Sequence, residues 1–128
     1  MLPLLPMPTL ALMHVSIAAV WAYEGLWCKL LGRMPSQFAM MIELPGCTAE
    51  RAVLLLRLLG LVEMSLALWV LSGDAPAACA LTQAALLLAL NANGIFWARH
   101  LIHDPAGMVI KNIAFLLLVW MGGAWSGR

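Results

Sequence analysis

Eight polar side chains fall inside long apolar stretches of this sequence: Glu24, Arg57, Glu63, Gln83, Asn91, Asn93, Lys111 and Asn112. Carboxylate, ammonium, guanidinium and amide groups in such surroundings hydrogen-bond a polar headgroup or pass protons. A charge at the centre of a bilayer costs about 2.5–3.5 kcal/mol on insertion scales, so these groups face a bundle interior and take partners. Glu24 with Arg57 is the first expected pair; Lys111 with Glu24 or Glu63 is the second. Together they predict a polar layer lining a pocket for a headgroup such as a quinone ring, or a proton relay. The same groups also serve as structural glue between helices. A quinone site needs an apolar slot and donors for the carbonyls, which Arg, Lys, Asn and Gln supply. Carboxyl groups inside the apolar runs, such as Glu24 and Glu63, are the groups expected to serve a relay.

Depth counting supports one layer. Glu24, Arg57, Asn91 and Asn93 lie about seven residues in from the same end of their runs, at about 1.5 Å per residue. Lys111 and Asn112 are slightly shallower. All fall roughly 6–12 Å inside one boundary, with Glu63 and Gln83 deeper. Arg57 and Glu63 are separated by about 120° on an ideal helix, with Gly60 between them. Gly60 is therefore a point where a partner helix approaches closely. Lys29 projects about 140° away from Glu24. It lies near the boundary and is expected to snorkel to the headgroups as a topology anchor. Trp21, about 60° from Glu24, is expected to pack beside it.

The elements that must position these residues are apolar runs of about 20 residues, the length that a hydrocarbon core of about 30 Å requires. Four occur, at about 9–31, 49–72, 76–98 and 106–125. The chain is 64% hydrophobic and 10% charged, with a mean hydropathy of +0.95. An average globular chain carries about 25% charged residues. The expectation is an all-α integral membrane bundle of four transmembrane helices forming a single domain over residues 1–128, with lipid as its solvent. The runs use up nearly the whole sequence, so soluble chemistry is expected of a partner. The first run has no basic residue before Lys29 and reads as a retained span rather than a signal peptide.

Basic residues set the orientation. Lys29, Arg33 and Arg51 flank the loop after the first run, and Arg99 and Lys111 flank the loop before the fourth. The loop "SGDAP" carries none, and the C-terminal tail has only Arg128. Both basic loops are expected in the cytoplasm, both termini outside it, and the protein in the inner membrane. Helix starts are marked by Thr48 with Glu50, by Pro76, and by Asp104 with Pro105. Gly122 and Gly123 are expected to loosen the last turn. In "PSQFAMMIELPG", Ser36 is expected to cap a short interfacial helix ending before Pro45, with Phe38, Met41 and Ile42 on one face. Trp27 and Trp97 fall near the inner boundary, and Trp69, Trp120 and Trp125 near the outer one.

Other chemistries find little support. The net charge is +1 with no basic stripe, which argues against nucleic acid. Cys28, Cys47 and Cys79 lie in separate segments without a CxxC and read as free thiols. His14 lies toward the outer side and His100 and His103 toward the inner, so they do not converge on a haem iron. The His100–His103 spacing would place two ligands on one helical face. No nucleophile with its base, no phosphate loop and no metal cage is visible.

Four segments in order carry a family likeness: "VWAYEGLWCKLL", "LRLLGLVEMSLALWVLSG", "TQAALLLALNANG" and "HDPAGMVIKNIAFLLL". The chain resembles the DoxX-like family of small four-helix membrane proteins over almost its whole length. The Pro followed by Lys-Asn in the fourth run is the most specific part, and the G-x-x-E of the second is next. The resemblance implies that Glu24 or its neighbour Lys29, Glu63, Gln83, Asn91, Lys111 and Asn112 are the recurrent polar positions. It also implies two kinds of relative: the membrane subunit of a thiosulfate:quinone oxidoreductase, and a membrane segment behind a nucleotide-binding epimerase-like domain. Three roles follow as expectations. The first is the membrane subunit of a redox system, holding a quinone or docking a soluble oxidoreductase. The second is a proton-coupled transport or relay protein, which would need homo-oligomerisation because four short helices leave little room for a pore. The third is a ligand-free structural or assembly protein. Ala77, Ala78, Ala80, Ala84, Ala85, Ala89 and Ala92 suit the third run to close packing within the bundle or against a second copy.

Overall fold

The computed structural model describes Pro6 and residues 8–126, Ser126 in its backbone alone. Arg128 lies outside the described residues. The described residues are helical with short connections and no strand. Four helices are long and apolar enough to cross a membrane: Leu10–Leu30, Ala49–Ser72, Pro76–Trp97 and Pro105–Trp125. We label them α1, α3, α4 and α5, with α2 for the short helix Pro35–Ile42. Their ends agree with the sequence expectation to within a residue, because capping residues mark them. The Thr9 hydroxyl accepts from the Leu12 amide at 3.1 Å, and the Thr48 hydroxyl from Arg51 at 3.3 Å. Asp104 accepts from Gly107 at 3.1 Å at the head of α5. These bonds satisfy amides that have no partner inside the helix. α3 stops at Gly73, whose φ of 73° is left-handed and suits glycine.

α1 packs against α3 and α5, and α5 against α4, while α3 and α4 meet less extensively. The bundle is thus two helix pairs, α1–α3 and α4–α5, joined along α1 and α5. One half, toward the α3–α4 turn, holds the apolar core. Ile17, Trp21, Leu66, Val70 and Val119 pack there at 2–4% exposure. We call this the distal half, and the other the α2 half.

The glycine pair near the C-terminus does not loosen α5, which stays helical through Ser126. Instead it lets α5 approach its neighbours. A Cβ on Gly123 would lie 2.7 Å from Ala80 Cβ, and one on Gly122 would lie 3.1 Å from Ile17 Cδ1.

The helix α2 begins at Pro35, one residue before the expected cap, and no side chain caps it. Ser36 is inside the helix because Pro35, lacking an amide hydrogen, suits the first helical position. Met41 is buried against Ala52 and Leu56 of α3, with Phe38 packed at the edge. Ile42 stays 37% exposed.

Around the girth, Leu68, Leu81, Ile110 and Trp120 are 62–67% exposed, one on each of α3, α4 and α5 at least. An apolar shell of this extent is compatible with lipid rather than water. The protein is an integral membrane helical bundle.

Candidate functional site

The last eight residues of α1, Tyr23–Leu30, are wound as a π-helix. The Leu31 amide accordingly donates to the Leu26 carbonyl five residues back, at 2.8 Å. In this register residues five apart stack on one face, as residues four apart do on an α-helix. Glu24 and Lys29 therefore face the same way instead of diverging. This overturns the reading of Lys29 as a snorkelling anchor. Its side chain is 5% exposed, and its ammonium lies 3.0 Å from Glu63 Oε1 and 3.6 Å from Glu24 Oε2.

The ion pair depends on a close backbone crossing. A Cβ on Gly25 would meet the Gly60 carbonyl oxygen at 2.7 Å; one on Gly60 would meet the Gly25 carbonyl at 2.9 Å and Lys29 Cβ at 3.1 Å. With both positions bare, α1 and α3 touch backbone to backbone, and Lys29 reaches the wholly buried Glu63 one turn along. The ammonium donates to Glu63 Oε2 at 3.1 Å. Glu63 Oε1 is ion-paired but has no hydrogen bond of its own. Glu24, with its side chain 38% exposed, is the more accessible of the two carboxylates.

A second polar pair joins α4 to α5. Asn112 Nδ2 donates to Asn91 Oδ1 at 2.7 Å, and Asn91 Nδ2 donates to the Leu87 carbonyl at 2.8 Å. Above both pairs, the Trp21 indole donates to Gln83 Oε1 at 2.8 Å, and Gln83 Nε2 contacts Cys79 Sγ at 3.4 Å. Trp21 also meets Phe115 edge to face, with centroids 5.7 Å apart. This cluster ties the two helix pairs together under the apolar core.

Between the pairs lies a cavity of about 420 Å³. One wall carries Glu24, Lys29 and Glu63, and the other carries Asn91, Asn93 and Asn112. Gln37, Met40 and Met41 of α2 contribute a third side, and Leu59, Leu87, Leu90 and Phe115 make much of the rest apolar. Trp21 lines the cavity beside Glu24. A separate void of about 20 Å³ in the distal half touches His14 and Gln83.

Of the eight polar residues singled out by sequence, Glu24, Glu63, Asn91, Asn93 and Asn112 line the cavity, while Gln83 holds Trp21 above it. Arg57 and Lys111 are exposed and do not line it. The expected pairing of Glu24 with Arg57, and of Lys111 with a carboxylate, gives way to Lys29 between Glu24 and Glu63. The buried stripe of α3 runs through Ala52, Leu56, Gly60, Glu63, Ala67 and Val70. Arg57 follows Leu56 by one residue and so turns about 100° away from it. Lys111 is displaced from Asn112 in the same way. Lys29 and Gln37 are the polar lining residues absent from that set of eight; the signal for Lys29 is its five-residue spacing from Glu24, meaningful only in a π-register.

Cys28, Cys47 and Cys79 are free thiols. His100 Nε2 lies 3.6 Å from Glu43 Oε1, linking the turn after α4 to the end of α2. Among the described residues, no three His, Cys, Asp or Glu side chains gather to hold a metal.

No curated protein and no solved structure matches the chain. The sequence profile of the DoxX-like family matches residues 18–120, a stretch that takes in every side of the cavity and part or all of each long helix, and the chain belongs to that family.

Proposed function

We propose that this protein is the membrane subunit of a redox system and that its cavity holds the head of a quinone. The observation that carries this reading is the cavity itself: about 420 Å³, with an ion-paired wall, an amide wall and apolar surface between. That size lies within the range of small-molecule sites, roughly 300–1,000 Å³. The amides of Asn91, Asn93 and Asn112 are suited to ring oxygens, and the leucines and Phe115 to the ring faces. Lys29, Arg33, Arg51, Arg99 and Lys111 cluster around the two loops of the α2 half. The positive-inside rule then sets the α2 half toward the cytoplasm in an inner membrane, with both termini outside. A soluble oxidoreductase reaching the pocket from the cytoplasm would dock on the α2 face.

The test is mass spectrometry of extractable small molecules, with an optical spectrum, on gently purified protein. A stoichiometric quinone that is lost in Asn112→Leu but kept in Arg57→Ala supports the reading. A folded protein that is empty as purified and takes up no added quinone overturns it.

A second reading, proton relay or proton-coupled transport by an oligomer, draws on one specific feature: two carboxylates joined through a single buried ammonium. Proton flux into liposomes that is raised by the protein and lost in Glu24→Gln would favour it. Flux equal to that of empty liposomes would reject it.

A further inference from the structure

The two walls of the cavity differ in what they offer a ring oxygen. On the ionic wall, the Lys29 ammonium is already engaged. It lies 3.0 and 3.1 Å from the two oxygens of Glu63 and 3.6 Å from Glu24 Oε2. An ammonium has three hydrogens, and carboxylate oxygens surround this one. Glu63 is itself wholly buried. The group on that wall most accessible to a ligand is the Glu24 carboxylate, 38% exposed and only able to accept. The wall as a whole carries two carboxyl groups around one ammonium.

The amide wall has a polarity fixed from one end. The Leu87 carbonyl only accepts, so Asn91 turns its nitrogen to it and its oxygen to Asn112. Asn112 then donates to Asn91, and its own oxygen is left as an acceptor. Each amide keeps one further N–H. This wall therefore serves either a carbonyl or a hydroxyl, and discrimination falls to Glu24.

A quinone carries acceptors at both ends of its ring; the hydroquinone carries O–H donors at both. A quinone seated across the cavity would set a carbonyl oxygen against a carboxylate, leaving two acceptors face to face. Resting on the quinone-site reading above, we infer that the cavity prefers the reduced ring, and that Glu24 sets this preference by accepting a hydrogen bond from one of the two hydroxyls. Asn112 serves the other hydroxyl. No covalent step is involved; the preference is one of binding.

The experiment is anaerobic equilibrium dialysis of the full-length protein in detergent against a short-tailed benzoquinone and, separately, its hydroquinone. The hydroquinone is expected to bind about tenfold more tightly, the size of one hydrogen bond to a charged group. Glu24→Gln, whose amide offers an N–H, is expected to tighten quinone binding, weaken hydroquinone binding and bring the ratio to near unity. Asn112→Leu is expected to weaken both forms and leave the ratio intact, which separates selection from general damage to the pocket. Equal affinities in the unmodified protein, or tighter quinone, would overturn the inference while leaving a quinone site in place. A ratio that survives Glu24→Gln would overturn the role given to Glu24. If neither form binds a protein that circular dichroism shows folded, the quinone-site reading falls and the inference with it.

Discussion

The distal half and the α2 half are built from the same four helices and pack in opposite ways. In the distal half, Ile17, Leu66, Val70 and Val119 close around Trp21, and the void there is about 20 Å³. Gly122 brings α5 against Ile17 of α1, joining one helix pair to the other, and Gly123 brings α5 against Ala80 of its own partner α4. In the α2 half, the Gly25–Gly60 crossing brings α1 against α3, and the Asn91–Asn112 bond holds α4 to α5. Each contact there tightens one pair, and a cavity of about 420 Å³ remains between the pairs. Small residues in a membrane bundle thus do two jobs. Gly122 and Gly123 close α5 onto both of its neighbours around the core, while Gly25 and Gly60 tighten a single pair and leave the cavity beside it open.

The contrast extends to energetics. The distal core gains packing contacts and needs little polar pairing. The α2 half carries a buried ion pair, for which desolvation offsets much of the attraction. If the α2 half is a binding site and the distal half a scaffold, changes in the two halves should separate stability from binding.

The largest effect is expected from Glu63→Ala, which strands the Lys29 ammonium. A loss of about 3–5 kcal/mol is typical when one partner of a buried pair is removed. Denaturant titration in detergent would measure it. Combining Glu63→Leu with Lys29→Met should recover the stability. A single variant as stable as the parent would show that the pair does not hold α1 to α3.

Next come the glycines, one in each half. Gly25→Ala and Gly123→Ala each set a new methyl within 2.7 Å of another atom. Each should cost roughly 1–3 kcal/mol, the usual penalty for overpacking. Only Gly25→Ala should also lose the ligand, because it displaces Lys29 and Glu24. Equal loss of binding in both variants would erase the division between the halves.

Trp21→Phe removes the donor to Gln83, leaving a buried acceptor unsatisfied at a cost of roughly 1–3 kcal/mol. The thermal midpoint should fall, and binding should weaken as the two pairs lose a shared tie. Asn112→Ala should cost about 1 kcal/mol or less of stability, the net worth of one hydrogen bond, while measurably weakening binding. The smallest effects belong to Arg57→Ala and Lys111→Ala, with stability in detergent unchanged within about 0.5 kcal/mol. A large loss in either would mean that the exposed face of that helix meets a partner.

Much of this architecture is legible from residue types alone. Runs of apolar residues bounded by Thr9, Thr48, Pro76 and Asp104 mark the long helices, because both the length and the caps are local properties. Depth counting brought Glu24, Asn91, Asn93 and Asn112 to one level, and those four residues line one cavity. The same counting puts Arg57 and Lys111 at that level too, but the inward direction expected of them does not hold. Both are exposed, each one residue away from an inward neighbour. Lys29 was misdirected for another reason: the 140° separating it from Glu24 holds for an α-helix, and this segment is a π-helix.

Residue types along the chain therefore dictate an all-helical membrane bundle, its four spans, its basic loops and the presence of interior polar groups. A chain in lipid must satisfy its backbone hydrogen bonds internally, so apolar length alone dictates a helix. Which charges meet is decided by how the helices pack. Glu24 finds Lys29 because five residues of π-helix close one turn, and Lys29 finds Glu63 because two glycines on different helices happen to cross. Helix register and helix contact are set by the packing of the whole bundle, and no window along the chain contains them.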